Sequence, residues 1–186
     1  MTDREQQRRS ALVFGARNLG KAIIELLVGA GWSVAGVARS QETLQGVTDA
    51  GALALQADVT DQASVRAAIA QTVGAHGQID LVVNAASAYG GTRSGPFGGG
   101  PMAEANADAF DSWATAPARS AFSFLSGAAG YLVQQQTTAT LIQVTGGSAR
   151  RAMPAAGCGR PARSACVRSL RPQRWSCGLR AFTWRC

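Results

Sequence analysis

The sequence predicts an α/β protein: a doubly wound parallel sheet of about five strands with helices on both faces, followed by an irregular basic tail. Three observations predict it. Short apolar runs alternate with stretches of helical periodicity from residue 11 to residue 144. The first run passes directly into a glycine-containing turn and then a helix. The stretches between runs are long enough for the helical crossovers that parallel neighbours require.

Ala11–Val13 predicts a buried strand ending at Phe14 and Gly15. Leu19, Ala22, Ile23, Leu26, Leu27 and Ala30 recur at spacings of three and four, which predicts one buried helix face. Gly31 should stop that helix. Ser33–Ala38 reads as the second strand, Gln41–Ala50 as a polar helix and Ala52–Ala57 as the third strand. Asp61 opens a helix running to about Ala75, with Val65, Ala68, Ile69, Thr72 and Val73 along one face. Asp80 leads into a fourth strand at Leu81–Val83. Tyr89–Gly100 is glycine-rich and aperiodic, which predicts a loop. A long helix should run from about Asn106 to Gln134, weakened at Pro117, before a fifth strand at Thr140–Val144.

A chain of 186 residues suits one domain with a sizeable core. Its 46% hydrophobic and 16% charged content excludes a disordered class. No apolar run approaches the roughly 20 residues that span a bilayer, so no membrane role is expected. Met1–Ser10 is polar and unlike a secretory signal, so the expected compartment is the cytoplasm. The net charge is +7, but Arg160, Arg163, Arg168, Arg171, Arg174, Arg180 and Arg185 lie together with no acidic residue. Taking those seven charges from +7 leaves 0 for the rest. All four cysteines, Cys158, Cys166, Cys177 and Cys186, share that segment. Two parts result: a neutral body, 1–157, expected to be a dinucleotide-binding domain, and a basic tail, 158–186.

Gly15-Ala16-Arg17-Asn18-Leu19-Gly20-Lys21 joins the first strand to the first helix. Such a turn lets backbone approach a pyrophosphate, and the helix N-terminus offers N–H groups and a favourable dipole. The competing reading is a plain tight turn. Later landmarks fall at strand ends: Arg39-Ser40 after the second, Asp58-Val59 after the third, and Asn84-Ala85-Ala86-Ser87 after the fourth.

With these motifs in order over residues 11–148, the body resembles the nucleotide-binding part of the short-chain dehydrogenase/reductase family, which has a Rossmann-like fold. Gly15 and Gly20 match the outer glycines of the family's Gly-x-x-x-Gly-x-Gly turn; the turn is one residue shorter, and Asn18 takes the middle seat. The resemblance implies that Gly15, Arg17, Asn18, Leu19 and Gly20 hold a pyrophosphate. It places Asp58 and Val59 at the adenine and makes Asn84, Ala85 and Ala86 line the cofactor. An acidic residue after the second strand would favour NAD, whereas Arg39, with Ser40 beside it and Arg17 on the same side, fits the 2′-phosphate of NADP. NADP is thus the expected cofactor, with NAD as the alternative. A solvated surface arginine is the competing reading of Arg39. The resemblance also implies a small carbonyl or alcohol substrate and association into homo-oligomers.

The family's chemistry uses a Tyr as proton donor, a Lys four residues on, a Ser that polarises the carbonyl, and an Asn on the long helix supporting a relay water. None is in place. The tyrosines are Tyr89 and Tyr131, and neither has a Lys four residues on. The Asn seat falls on Pro117 and the Ser seat on Gly146, flanked by Thr145 and Ser148. No catalytic residue is therefore assigned. His76, the lone histidine, reads as a surface loop residue.

Residues 158–186 have no periodicity and place Pro161 and Pro172 where the family has a continuous helix. Taking the third base of each codon with the first two of the next, residues 174–186 can encode a sequence near Leu-Glu-Leu-Arg-Ala-Ala-Gly-Ile-His-Val-Ala-Leu, similar to the family's helix end and sixth strand. The tail is thus expected to be that segment read in the wrong frame. The same exercise gives Trp or Arg at the Tyr seat and Ala at the Lys seat. Without the family's next helix and strand, the fifth strand should form an open sheet edge. The cysteine gaps of seven, ten and eight residues do not match a zinc site, and no metal is expected. Two other functions stay open: a non-catalytic nucleotide-binding protein of the same fold, and, less favoured, nucleic-acid binding by a genuine basic tail through its seven arginines and two tryptophans.

Overall fold

A computed structural model describes residues 8–86, 100–145 and 181–183. The strands are β1 (Ser10–Phe14), β2 (Ser33–Ala38), β3 (Leu53–Gln56), β4 (Leu81–Asn84), β5 (Thr140–Gln143) and β6 (Ala181–Thr183). The helices are α1 (Leu19–Gly29), α2 (Gln41–Asp49), α3 (Gln62–His76), α4 (Ala107–Phe110) and α5 (Ala116–Gln134). The chain divides into two compact units. One comprises residues 1–86, 124–144 and 180–186, and the other residues 87–123 and 145–179.

The first unit holds the sheet, in the order β3-β2-β1-β4-β5-β6. The first five strands in that order are parallel, as the alternation of strand and helix predicts. Their order reverses between β1 and β4, the kind of switch point beyond whose strand carboxyl ends sheets of this type bind ligands. Side chains alternate across the sheet and fill both faces. Leu12 and Phe14 join Val37, Val65, Ile69, Val82, Phe124, Leu132 and Leu141 in one core. Val13 joins Ile24, Val34, Val47 and Val83 in the other. Helices α3 and α5 thus cover one face, and α1 and α2 the other.

Helix α3 buries Val65, Ala68, Ile69 and Thr72, the stripe its periodicity predicts. Asp61 caps it, accepting from the N–H groups of Ala63 (3.3 Å) and Ser64 (2.8 Å). The Ser64 N–H, then its side chain and the Ala63 N–H, hold the Asp61 carboxyl below its ordinary value. Helix α1 differs from expectation. Ile24 is buried, with Ile23, Leu27 and Val28 packed partly against the core, while Leu19 and Leu26 are exposed. Apolar residues occur on most of its circumference, so a spacing of three and four fits two phases.

Two further expectations need correction. The outer edge of β5 is not left open: Ala181–Thr183 pairs antiparallel to it, with Leu141 opposite Phe182. A three-residue strand in an arginine-rich segment carries too few residues to show a period of two. His76 is not in a surface loop. It is the last residue of α3, half-buried, and its Nδ1 lies 2.9 Å from the Ser10 hydroxyl. Ser10 is fully buried; its N–H donates to Asp80 Oδ2 at 2.8 Å, and Asp80 N–H donates to the Ser10 carbonyl at 2.9 Å. These contacts tie the end of α3 to the starts of β1 and β4.

Partial burial lowers the His76 pKa from 6.5. The unfolded chain therefore takes up this proton first as pH falls. Stability is full above about 6.5 and declines as pH drops through that value towards the folded pKa. Unfolding midpoints between pH 7.5 and 5.5 should show this decline in the native chain and a flatter profile in His76→Gln. Equal slopes would exclude the effect, since the chain has no other histidine.

In the second unit, a 3-10 turn at Met102–Glu104 precedes α4. Asn106 caps α4, its side chain accepting from Ala109 N–H at 2.9 Å. The expected long helix is interrupted just before Pro117. Asp111–Thr115 forms a π-turn, and Ala116 N–H donates to the Asp111 carbonyl, five residues back. Pro117 then falls in the first turn of α5, where a missing N–H does little harm. The helix starts in this unit and continues into the first.

Candidate functional site at the carboxyl edge of the sheet

All the candidate cofactor-binding residues lie in the first unit. The register places Phe14 opposite Val37 and Asn84, so β1 and β4 end on one line and β2 one residue beyond it. Beyond that line the chain turns at Gly15. Gly15 N–H donates to the Val37 carbonyl at 2.9 Å, and Ala85 N–H donates to the Phe14 carbonyl at 2.9 Å. Gly15 has φ +84°, and a Cβ there would lie 2.5 Å from the Ala86 nitrogen and Cα. A Cβ on Gly20 would run into the Gly15 carbonyl. Two glycines and the Ala85–Ala86 backbone therefore pack as closely as main chain allows, and both glycines are required by space.

Between them, Arg17, Asn18 and Leu19 are exposed. The Gly20 N–H closes the turn on the Arg17 carbonyl at 2.9 Å. Asn18 precedes α1 with φ 45° and ψ −111°, a conformation suited to glycine, and its side chain makes no capping bond. The first turn of α1 also carries no acidic residue. This N-terminus thus keeps its dipole and its N–H groups without a side-chain acceptor, unlike α3 with Asp61.

Asn84 is buried, and its side chain is turned into the protein. Its Nδ2 donates to Gln143 Oε1 at 2.9 Å, and its Oδ1 accepts from Ala86 N–H at 3.0 Å. Gln143 Nε2 donates in turn to the Val144 carbonyl at 3.0 Å. Asn84 therefore fixes the Ala85–Ala86 segment against Gly15, while the half-buried Ala85 and Ala86 form the surface there.

At the other side of the site, Arg39 and Ser40 follow β2. The Arg39 guanidinium reaches Asp58 Oδ2 at 3.9 Å, with the two side chains 75% and 40% exposed. Ser40 precedes α2 without capping it, and its hydroxyl lies 2.8 Å from that of Thr43. Asp58 Oδ1 accepts from Thr60 N–H (2.9 Å) and Thr60 Oγ1 (2.8 Å). Val59 is buried and joins the core.

Gln143 and Thr60 are the supporting residues that sequence reasoning missed. Gln143 faces Asn84 only through strand pairing, across 59 residues of chain. Thr60 carried a local signal, since an Asp side chain readily accepts from the backbone N–H two residues on, and the Thr60 hydroxyl adds a second bond to the same oxygen. Of the residues considered for chemistry, Tyr131 lies on α5 and packs against the core. Pro117 sits in the first turn of α5, and Thr145 is half-buried. Tyr89, Gly146, Ser148 and the Tyr and Lys seats near residues 158–163 lie outside the described residues, as do residues 89–99 of the expected Tyr89–Gly100 loop and all of the tail except residues 181–183. No metal-binding cluster occurs among the described residues. None of their helices is long and apolar enough to cross a membrane.

The family described as enoyl-(acyl carrier protein) reductase matches residues 13–178. The chain belongs to the short-chain dehydrogenase/reductase family. Comparison with curated proteins gives no match. Solved structures of this dehydrogenase/reductase class share the fold. A short-chain dehydrogenase/reductase double mutant from Serratia marcescens is 26% identical, with a TM-score of 0.67, covering 88% of this chain and 66% of its own. Levodione reductase is 22% identical with a TM-score of 0.71, covering 87% and 63%. A short-chain type dehydrogenase/reductase from Mycobacterium ulcerans is 22% identical with a TM-score of 0.73, covering 88% and 60%. The chain thus spans less than two thirds of the length of these proteins.

Proposed function

We propose that this short-chain dehydrogenase/reductase binds NADP(H) at the carboxyl edge of β1, β2 and β4, and that it is impaired in the family's hydride transfer between NADPH and a carbonyl or alcohol. The interlock of Gly15, Gly20 and Ala86 carries the binding reading. It brings bare backbone and the uncapped start of α1 together at the strand-order reversal, where a pyrophosphate is accommodated in this fold. The residues fit the group: the close packing of the two glycines leaves main chain, without side chains, at the start of α1, where no side chain caps the helix, and Arg17 adds positive charge beside it. Arg39, where a carboxylate would favour NAD, supports NADP. A structure similar to this chain, at 17% identity, is described as an NADPH-dependent reductase involved in bacilysin biosynthesis.

When bound, NADPH would supply the hydride. The chain's own residues offer little to guide the proton that must follow. Tyr89 and Tyr131 are followed four residues later by Arg93 and Gln135, so no lysine is placed to lower a phenol pKa. Pro117 has neither an amide side chain nor an N–H to hold a water. The packing of Tyr131 against the core favours a second reading, a nucleotide-binding protein without turnover.

Fluorescence titration of the full chain with NADPH and NADH tests the proposal. NADPH should saturate at lower concentration than NADH. Arg39→Gln should weaken NADPH by about 10-fold or more, the size of a charge-assisted contact to phosphate, and leave NADH unchanged. Equal affinities for the two cofactors would refute the NADP assignment, and no saturable signal from folded protein would refute cofactor binding. Clear binding without NADPH oxidation across a panel of carbonyls would support the impaired reading; rapid turnover would refute it.

A further inference from the structure

We infer that Asp58, oriented by Thr60, is a specificity-determining residue that restrains Arg39 and thereby sets how strongly the site prefers a 2′-phosphorylated nucleotide; this rests on the NADP(H) reading above. The argument starts from the main chain. Ala38 pairs with Gln56 in the β2–β3 register, and Ala57 N–H donates to the Ala38 carbonyl at 3.4 Å. Gln56 Nε2 donates to the Arg39 carbonyl at 3.1 Å. The backbone of Arg39 is therefore pinned to β3 without help from its own guanidinium.

The two oxygens of Asp58 have separate partners. Oδ1 accepts from the N–H and the hydroxyl of Thr60, while Oδ2 faces the Arg39 guanidinium at 3.9 Å. That separation exceeds the roughly 2.7–2.9 Å of a charge-assisted hydrogen bond. Thr60 holds the carboxylate near the arginine, yet keeps it from gripping the guanidinium with both oxygens. The pair is exposed and weak, so an arriving phosphate can take the guanidinium. It must do so against a fixed negative charge on the same cation. The carboxylate therefore opposes the phosphate, and its distance and orientation decide by how much.

Two substitutions should move selectivity in opposite directions. Asp58→Asn removes the opposing charge while keeping the shape and the acceptor for Thr60. Thr60→Val removes the Oγ1 contact and leaves Oδ1 held by the N–H of residue 60 alone, so the carboxylate is freer to turn towards Arg39. Calorimetry on the full chain with adenosine 2′,5′-bisphosphate and 5′-AMP reads the preference as the Kd of 5′-AMP divided by that of the bisphosphate. Asp58→Asn should raise that ratio about three- to fivefold, the size of an exposed charge interaction, and Thr60→Val should lower it. Arg39→Gln should bring it near one. A role confined to local folding would weaken both ligands together and leave the ratio unmoved, which would overturn the inference, as would a fall in Asp58→Asn. If the native chain binds the bisphosphate no better than 5′-AMP, the NADP(H) reading itself fails. If it does prefer the bisphosphate and Asp58→Asn does not move the ratio, only the role given to Asp58 fails.

Discussion

Gly15→Ala is expected to abolish tight NADPH binding, raising Kd by about 100-fold, an amount equivalent to about 2.7 kcal/mol. Two effects combine. The native φ of +84° is left-handed, which costs a residue with a Cβ roughly 1–2 kcal/mol. The new methyl would also sit 2.5 Å from the Ala86 nitrogen and Cα, atoms of main chain that cannot rotate aside. Relief requires Ala85–Ala86 to move away from the turn, against the Asn84 Oδ1 bond to Ala86 N–H. The surface displaced is the one proposed to hold the cofactor. Gly31→Ala supplies the control. Gly31 also has a positive φ, +81°, but a Cβ there meets nothing within 4 Å. It should lose stability of the order of the backbone cost alone, with no change in NADPH affinity. Fluorescence titration and thermal unfolding of both variants separate the two effects. Native affinity in Gly15→Ala would show that the close packing at this turn does not matter for binding.

Much of this arrangement was legible in the sequence because its signals are local. Strand runs, helical spacing and the glycine turn each declare themselves within a window of ten to twenty residues, and their alternation dictates parallel pairing. The strand-end positions of Arg39, Asp58 and Asn84 follow from that alternation. The role of Asn84 did not follow, because its partner Gln143 is met only once β4 and β5 are in register. The tie between Ser10, His76 and Asp80 is equally remote, joining residues up to 70 apart. Gly77, with φ +80°, is the left-handed residue that ends α3, and it was the one local sign that His76 belongs to a helix end rather than a loop. Helix α1 was misphased for a different reason. Its apolar residues nearly encircle it, so tertiary packing chose the buried stripe. Charge gave the least guidance: the arginines after residue 158 dominate the total and say nothing of the candidate site, where Arg17 and Arg39 are the residues proposed to meet the cofactor's phosphates.

Phe124→Ala is expected to cost about 3–5 kcal/mol, the range for deleting a buried phenylalanine, and to lower the unfolding midpoint by roughly 10 °C. Phe124 and Phe14 are both fully buried, with ring centroids 5.7 Å apart at an interplanar angle of 70°. This edge-to-face contact adds about 0.5–1.5 kcal/mol beyond the area buried. The cavity would open directly under the end of β1. Phe14 is the last residue before Gly15, and its carbonyl holds the Ala85 N–H. Loss of the ring should therefore loosen the glycine turn and weaken NADPH as well as the fold, although Phe124 lies in the core rather than among the residues proposed to bind the cofactor. Urea unfolding of Phe124→Ala, Phe14→Leu and the double variant measures the coupling, which should fall in the 0.5–1.5 kcal/mol range. Leu26→Ala, at a side chain 72% exposed on α1, should change stability by less than about 0.5 kcal/mol. A loss in Phe124→Ala no larger than in Leu26→Ala would mean that the core does not close around this aromatic pair. A large loss with unchanged NADPH affinity would separate the glycine turn from the packing beneath it, leaving Asn84 and the Ala85–Ala86 backbone to hold the turn in place.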